Sequence, residues 1–111
     1  MKQINQEELE EAIVSGVSVV DFYANWCGPC KMLATTLNQV EQSSPQASFY
    51  KVDIDANMEL AANLGIKNIP TVIFFKDGIE QKRLLGNNPQ QSYKNILNDL
   101  SDNPNWHTRI C

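Results

Sequence analysis

The stretch Val19-Val20-Asp21-Phe22-Tyr23-Ala24-Asn25-Trp26-Cys27-Gly28-Pro29-Cys30-Lys31 decides the fold. An apolar, β-branched run, Val17–Tyr23, meets a helical pattern in which Cys30, Leu33, Leu37 and Val40 share a stripe. Two thiols sit three positions apart at that junction. In the first turn of a helix, both sulfurs can lie on one face and reach bonding distance. The ring they would close is short. Chain entropy assigns a loop of about four residues only about 2 kcal/mol, against about 4.7 for a 100-residue loop. Such a bridge staples little and suits a bond that is made and broken. Inert buried thiols, or half of a metal site, are the alternatives.

The flanks favour exchange. Cys27 falls at the helix N-terminus, where free backbone N–H groups and the macrodipole stabilise a thiolate, and Lys31 adds positive charge. Cys30 lies one turn further in and is expected to be the more buried. Gly28 allows a turn and the close approach of a partner. Pro29 presets an early helical dihedral. Asp21 stands inside the apolar strand, six residues before Cys27. Burial there raises a carboxyl pKa and poises the group to move a proton, unless it reaches solvent at a strand end.

Outward from this stretch, residues 2–4 form a weak strand. Asn5 caps a helix over 6–15 that Gly16 ends. The central helix runs from 28 to 43 and stops at Ser43-Ser44-Pro45. Residues 47–54 alternate as a strand, with Phe49, Lys51 and Asp53 opposed to Tyr50, Val52 and Ile54. Residues 57–64 form a short helix closed by Gly65. The strands 71–76 and 79–85 flank Asp77-Gly78, a strong hairpin signal. Asn88-Pro89 opens a last helix to about 100, with Tyr93, Ile96, Leu97 and Leu100 facing in. The order βαβαβαββα implies right-handed parallel crossovers followed by an antiparallel hairpin, hence an α/β fold with a mixed sheet.

Composition bounds the rest. With 111 residues, the chain suits one domain with its own core. A net charge of −4 argues against nucleic acid or an anionic membrane surface as partner. No apolar run reaches the ~20 residues of a membrane span. The first residues lack a signal-peptide core, so a cytoplasmic location is expected. An odd count of three cysteines does not suggest a structural disulfide framework.

The run 20–32 resembles the active-site segment of the thioredoxin family. So do Val52-Asp53-Ile54-Asp55, Gly65–Thr71 with its Ile69-Pro70-Thr71, Phe74–Gly78, and Gly86. The likeness covers roughly residues 2–100, which sets a domain over 1–100 and a tail over 101–111. It implies a thioredoxin fold: a five-stranded mixed sheet of order 1-3-2-4-5 flanked by four helices. It implies a protein-disulfide reductase in which Cys27 attacks and Cys30 resolves, with Asp21 as acid/base and Lys51 modulating it. Lys51 as a merely solvated lysine is the alternative. Pro70 would be cis beside the cysteines, rather than a plain trans turn proline. Trp26, Gly28, Pro29, Ile69, Pro70 and Gly86 would collar the reactive sulfur, although Trp26 could serve only packing. The implied partners are disulfide-containing proteins and an NADPH-dependent thioredoxin reductase. No cofactor or metal is expected, and a monomer is.

The chain departs from the family at Thr35, where a proline is usual, at Asn68, where glycine is common, and at Tyr23, where tryptophan is frequent. In the tail, His107 and Cys111 could join Cys27 and Cys30 as a C-x2-C…H-x3-C metal set. Cys111 could instead be a regulatory or dimer-forming thiol, or the tail a disordered end. Two rival functions stand beside the reductase: a redox-idle binding subunit on the same scaffold, and a metal-binding protein.

Overall fold

The computed structural model describes residues 1–102; His107 and Cys111 lie outside the described residues. Nine elements follow in order: β1 (Lys2–Gln3), α1 (Gln6–Ala12), β2 (Val17–Tyr23), α2 (Gly28–Gln42), β3 (Ala47–Asp53), α3 (Met58–Asn63), β4 (Thr71–Lys76), β5 (Ile79–Leu85) and α4 (Gln90–Asp102). The sheet order is β1-β3-β2-β4-β5. β3 runs parallel to β1 and β2, and β4 runs antiparallel to β2 and β5. This is the thioredoxin fold expected from the sequence.

Strand alternation builds two cores. Val17 and Val19 of β2, Phe49 of β3, and Val72 and Phe74 of β4 pack under Leu33, Leu37 and Val40 of α2 and Tyr93 and Leu97 of α4. Val20, Phe22, Val52, Ile73 and Phe75 point the other way, toward Ile4, Leu9 and Ile13. β2 is buried on both faces, as its largely apolar run, interrupted by Ser18 and Asp21, leads one to expect. Asp21 has the parity of Val17 and Val19, so it lies on the α2 side. The parallel register sets it opposite Lys51, which shares the parity of Phe49.

Local signals explain the element ends. Asn5 and Glu8 form a reciprocal capping box at the start of α1. That helix stops at Ala12, not at 15. Ile13 leaves helical geometry at φ −100° and ψ 3°, and Gly16 reverses the chain at φ 73°. Asp77 (φ 51°) and Gly78 (φ 85°) form the β4–β5 turn, both in the left-handed region that such tight hairpins demand. α2 is a single α-helix from Gly28 to Gln42, with Thr35 inside it.

Candidate active site

The site lies where β2 delivers the chain into α2. Tyr23 ends the strand, and its carbonyl accepts from the Ile54 N–H at 2.9 Å. Ala24 O accepts from Cys27 N at 3.2 Å, which folds residues 24–27 into a turn. Cys27 is the N-cap of α2, in extended geometry (φ −91°, ψ 109°), and Pro29 occupies the first turn. The cap is made by sulfur: Cys27 Sγ accepts from the Cys30 N–H at 3.2 Å. A helix N-terminus leaves N–H donors free, and here one of them is aimed at the sulfur that must carry negative charge when reduced.

Cys27 and Cys30 are joined by a disulfide, with Cα atoms 5.3 Å apart. The expected contrast in burial is small: Cys27 is 5% exposed and Cys30 3%. Both pack with Ala24, against Tyr23, Ile54 and Ile69. The Ile69–Pro70 bond is cis, as the resemblance implied. Thr71 Oγ1 donates to Asn68 O at 2.6 Å, and Gly86 N donates to Pro70 O at 2.8 Å. Those bonds draw the Pro70 loop and Gly86 together. Gly86 needs its glycine, because φ is 71°. Gly28 does not need one for its own backbone: a Cβ there would meet nothing within 4 Å. What glycine leaves at that position is open space beside Cys27.

Behind the cysteines, Asp21 is 1% exposed, and its Oδ1 has no hydrogen-bond partner among the described residues. Burial pushes its carboxyl up to about 7, against the opposing pull of the Lys51 ammonium. Asp21, Cys30, Lys31 and Lys51 line one cavity of about 170 Å³, with Tyr23, Ala24, Asn25 and Ala34. The Lys51 ammonium sits 5.7 Å from the centre of the Tyr23 ring. The Tyr23 hydroxyl is itself held above its usual range, by burial first and then by Asp53 and Asp21.

Trp26 stands apart from this interior, 70% exposed beside the disulfide. Its indole N–H donates to Asp55 Oδ2 at 2.8 Å. The sequence marks Asp53 and Asp55 only as turn and solvation residues. No local pattern could announce a bond across 29 positions. The structure thus brings Cys27, Cys30 and Ile69 into one cluster, with Pro70 and Gly86 tied to each other beside it. Asp21 and Lys51 lie beneath, and Trp26 on the rim.

The thioredoxin family profile matches residues 1–99. A thioredoxin of Mycoplasmoides gallisepticum is 42% identical over 99 residues, covering 87% of this chain and 99% of that protein. A thioredoxin of Chlamydia muridarum is 39% identical over 94 residues, covering 85% and 92%. The X-ray structure of Fasciola hepatica thioredoxin superposes with a TM-score of 0.83 at 35% identity, covering 90% of this chain and 99% of that one. A helix-capping dithiol on this sheet defines a thiol–disulfide oxidoreductase. The chain belongs to the thioredoxin family, whose members are disulfide reductases acting on protein disulfides.

Proposed function

We propose that Cys27 and Cys30 reduce disulfides of extended protein segments laid across the rim, with Asp21 moving the proton. The Cys27 thiolate attacks one sulfur of the target bond. The other target sulfur leaves as a thiolate and takes a proton from water, and a mixed disulfide remains. Asp21, ionised, accepts the Cys30 proton across the shared cavity. The Cys30 thiolate then attacks Cys27 Sγ and expels the second target thiolate. Two electrons pass to the target, and the Cys27–Cys30 bond forms.

One observation carries this reading: a buried carboxylate with a pKa of about 7, its Oδ1 without a hydrogen-bond partner among the described residues, lines the same cavity as the inner cysteine. A general base works best when its pKa lies near the working pH. Lys51 keeps the carboxyl from rising further. On the rim, Trp26, Gly28, Pro29, Ile69, Pro70 and Gly86 take the substrate. Open space at Gly28 and an Ile69 edge beside the sulfurs suit an extended peptide.

The oxidised protein is recharged by an NADPH-dependent thioredoxin reductase. It works as a monomer in the cytoplasm. Among the described residues no helix is long and apolar enough to cross a membrane. The test is reduction of insulin disulfides, coupled to NADPH consumption by a thioredoxin reductase. Steady turnover that disappears in Cys27→Ser supports the proposal. Activity that survives Cys27→Ser overturns it.

A further inference from the structure

We infer that Asn57 is a positioning residue for Trp26: it clamps the turn carrying the indole's acceptor to the start of α1. Asn57 precedes α3 at the N-cap position, where an asparagine side chain ordinarily accepts from its own helix. Here it makes no such bond. It is 6% exposed, and its amide is committed elsewhere at both ends. Oδ1 accepts from Gln6 N at 2.9 Å, 51 positions away in the first turn of α1. Nδ2 donates to Asp53 O at 2.8 Å. The Asn57 N–H donates to Ile54 O at 3.2 Å, closing the same turn from within.

From that turn, side-chain bonds lead to Trp26. Asp53 Oδ1 accepts from Asp55 N at 2.9 Å, which fixes the Asp55 backbone. Asp53 Oδ2 accepts from Asn25 Nδ2 at 3.4 Å, which ties the turn to the residue before Trp26. Asp55 Oδ2 then takes the indole N–H at 2.8 Å. A ring so exposed has little packing to hold it, so this bond and the placement of its acceptor set the ring's orientation. Asp53 and Asp55 sit in exposed surroundings, where single hydrogen bonds compete with water. Asn57 is the buried end of the chain, and it ties the turn to α1, a separate element.

The inference rests on the reading of Trp26 as part of the substrate rim. Its test separates the two. Measurements use the full chain carrying Trp106→Phe, so that Trp26 is the sole tryptophan. Asn57→Ala is expected to loosen the indole: acrylamide quenching of Trp26 rises about twofold and fluorescence anisotropy falls. The KM for insulin rises about fivefold while kcat changes by less than about twofold, the signature of lost binding rather than lost chemistry. In an Asp55→Ala background the same substitution adds nothing to KM, because its route to the indole is already cut. Asn57→Asp keeps the acceptor for Gln6 N and loses the donor to Asp53 O. It serves as the partial variant, between the two, and replaces Asn57→Ala should that chain not fold.

Unchanged quenching and KM in Asn57→Ala, or in Asn57→Asp standing in for it, overturn the inference. So does a full KM rise that persists in the Asp55→Ala background. Trp26→Ala with an unchanged KM overturns the rim reading instead, and leaves the quenching result to judge the clamp.

Discussion

The two ends of β2 are finished differently. At the Val17 end, Gly16 N donates to Asp77 Oδ1 at 2.8 Å and Asp77 N donates to Gly16 O at 3.0 Å. Backbone and carboxylate satisfy each other, and the carboxylate is exposed to water as well. At the Tyr23 end, Asp21 Oδ1 is buried without a partner among the described residues, and the chain leaves the strand toward a disulfide. One aspartate ties a turn together and lowers the free energy of the fold. The other raises it and holds a proton near neutral pH. The contrast shows where this small domain keeps stability and where it gives some up: a desolvated carboxylate is tolerated only where a cysteine can use it.

The largest predicted effect is at the dithiol. Cys27→Ser lowers insulin-reduction turnover by at least about 10³-fold, because no other nucleophile occupies the cap. Cys30→Ser leaves attack intact and blocks release, so the target stays joined to Cys27 and appears by mass spectrometry as a mixed disulfide.

Asp21 comes next. Asp21→Asn slows resolution of the mixed disulfide at pH 7 by about 10²-fold, the low end for a general base, since water in the cavity can still carry protons. The same variant gains stability, and the sign follows from linkage. Folding lifts this pKa from 3.8 to about 7. Below about pH 3, well under the unfolded value, the carboxyl is protonated in both the folded and the unfolded chain, and its ionisation costs nothing. As pH rises toward 7, the unfolded chain ionises freely and the folded chain resists. The wild type therefore loses about 4 kcal/mol relative to the variant by pH 8, an order-of-magnitude figure. Urea unfolding at pH 4 and pH 8 checks it: equal gaps at both pH values would refute a buried, proton-holding Asp21.

Lys51 sharpens the same end. Its charge lowers the Asp21 pKa. Lys51→Met should shift the acid limb of the pH–rate profile upward by about one unit, as loss of a nearby opposite charge does. A downward shift would mean that the ammonium does not act on Asp21.

The smallest effect lies at the opposite end. Asp77→Ala removes one side-chain bond and places alanine at φ 51°, costing about 1 kcal/mol. For a domain of this size that lowers Tm by about 4–8 °C. Insulin turnover below the transition should not change. A loss of turnover there would show that the two ends are coupled.

Much of this was legible in the sequence because it rests on local pattern. The apolar run of β2, the Cys27–Cys30 spacing at a strand-to-helix junction and Asp77-Gly78 each specify geometry within a few residues. The alternation of residues 47–54 grouped Lys51 with Phe49, but its pairing with Asp21 came from the family resemblance and from the parallel register of β2 and β3, not from local pattern. What stayed hidden depends on pairs far apart in the chain. Asn57 meets Gln6 across 51 positions, Gly16 meets Asp77 across 61, and Asp55 meets the Trp26 indole across 29. Read locally, Asn57 carries no clear chemistry. The early end of α1 was also missed: Leu9, Ala12 and Ile13 share an apolar face and Gly16 predicts a stop, but nothing in Val14-Ser15 announces that Ile13 already leaves helical geometry.

β2 is hydrogen-bonded along both edges, to β3 over seven residues and to β4 over six, whereas β1 contributes only Lys2 and Gln3. Amide deuterium should therefore enter β1 and the free margin of β5 long before it reaches Val19–Phe22, which opens only when the whole domain unfolds. Cys27 lies four residues beyond the end of that slowest-opening strand. Breathing at the periphery can thus proceed without disturbing the sulfurs, and a partly frayed molecule would still be competent to exchange electrons.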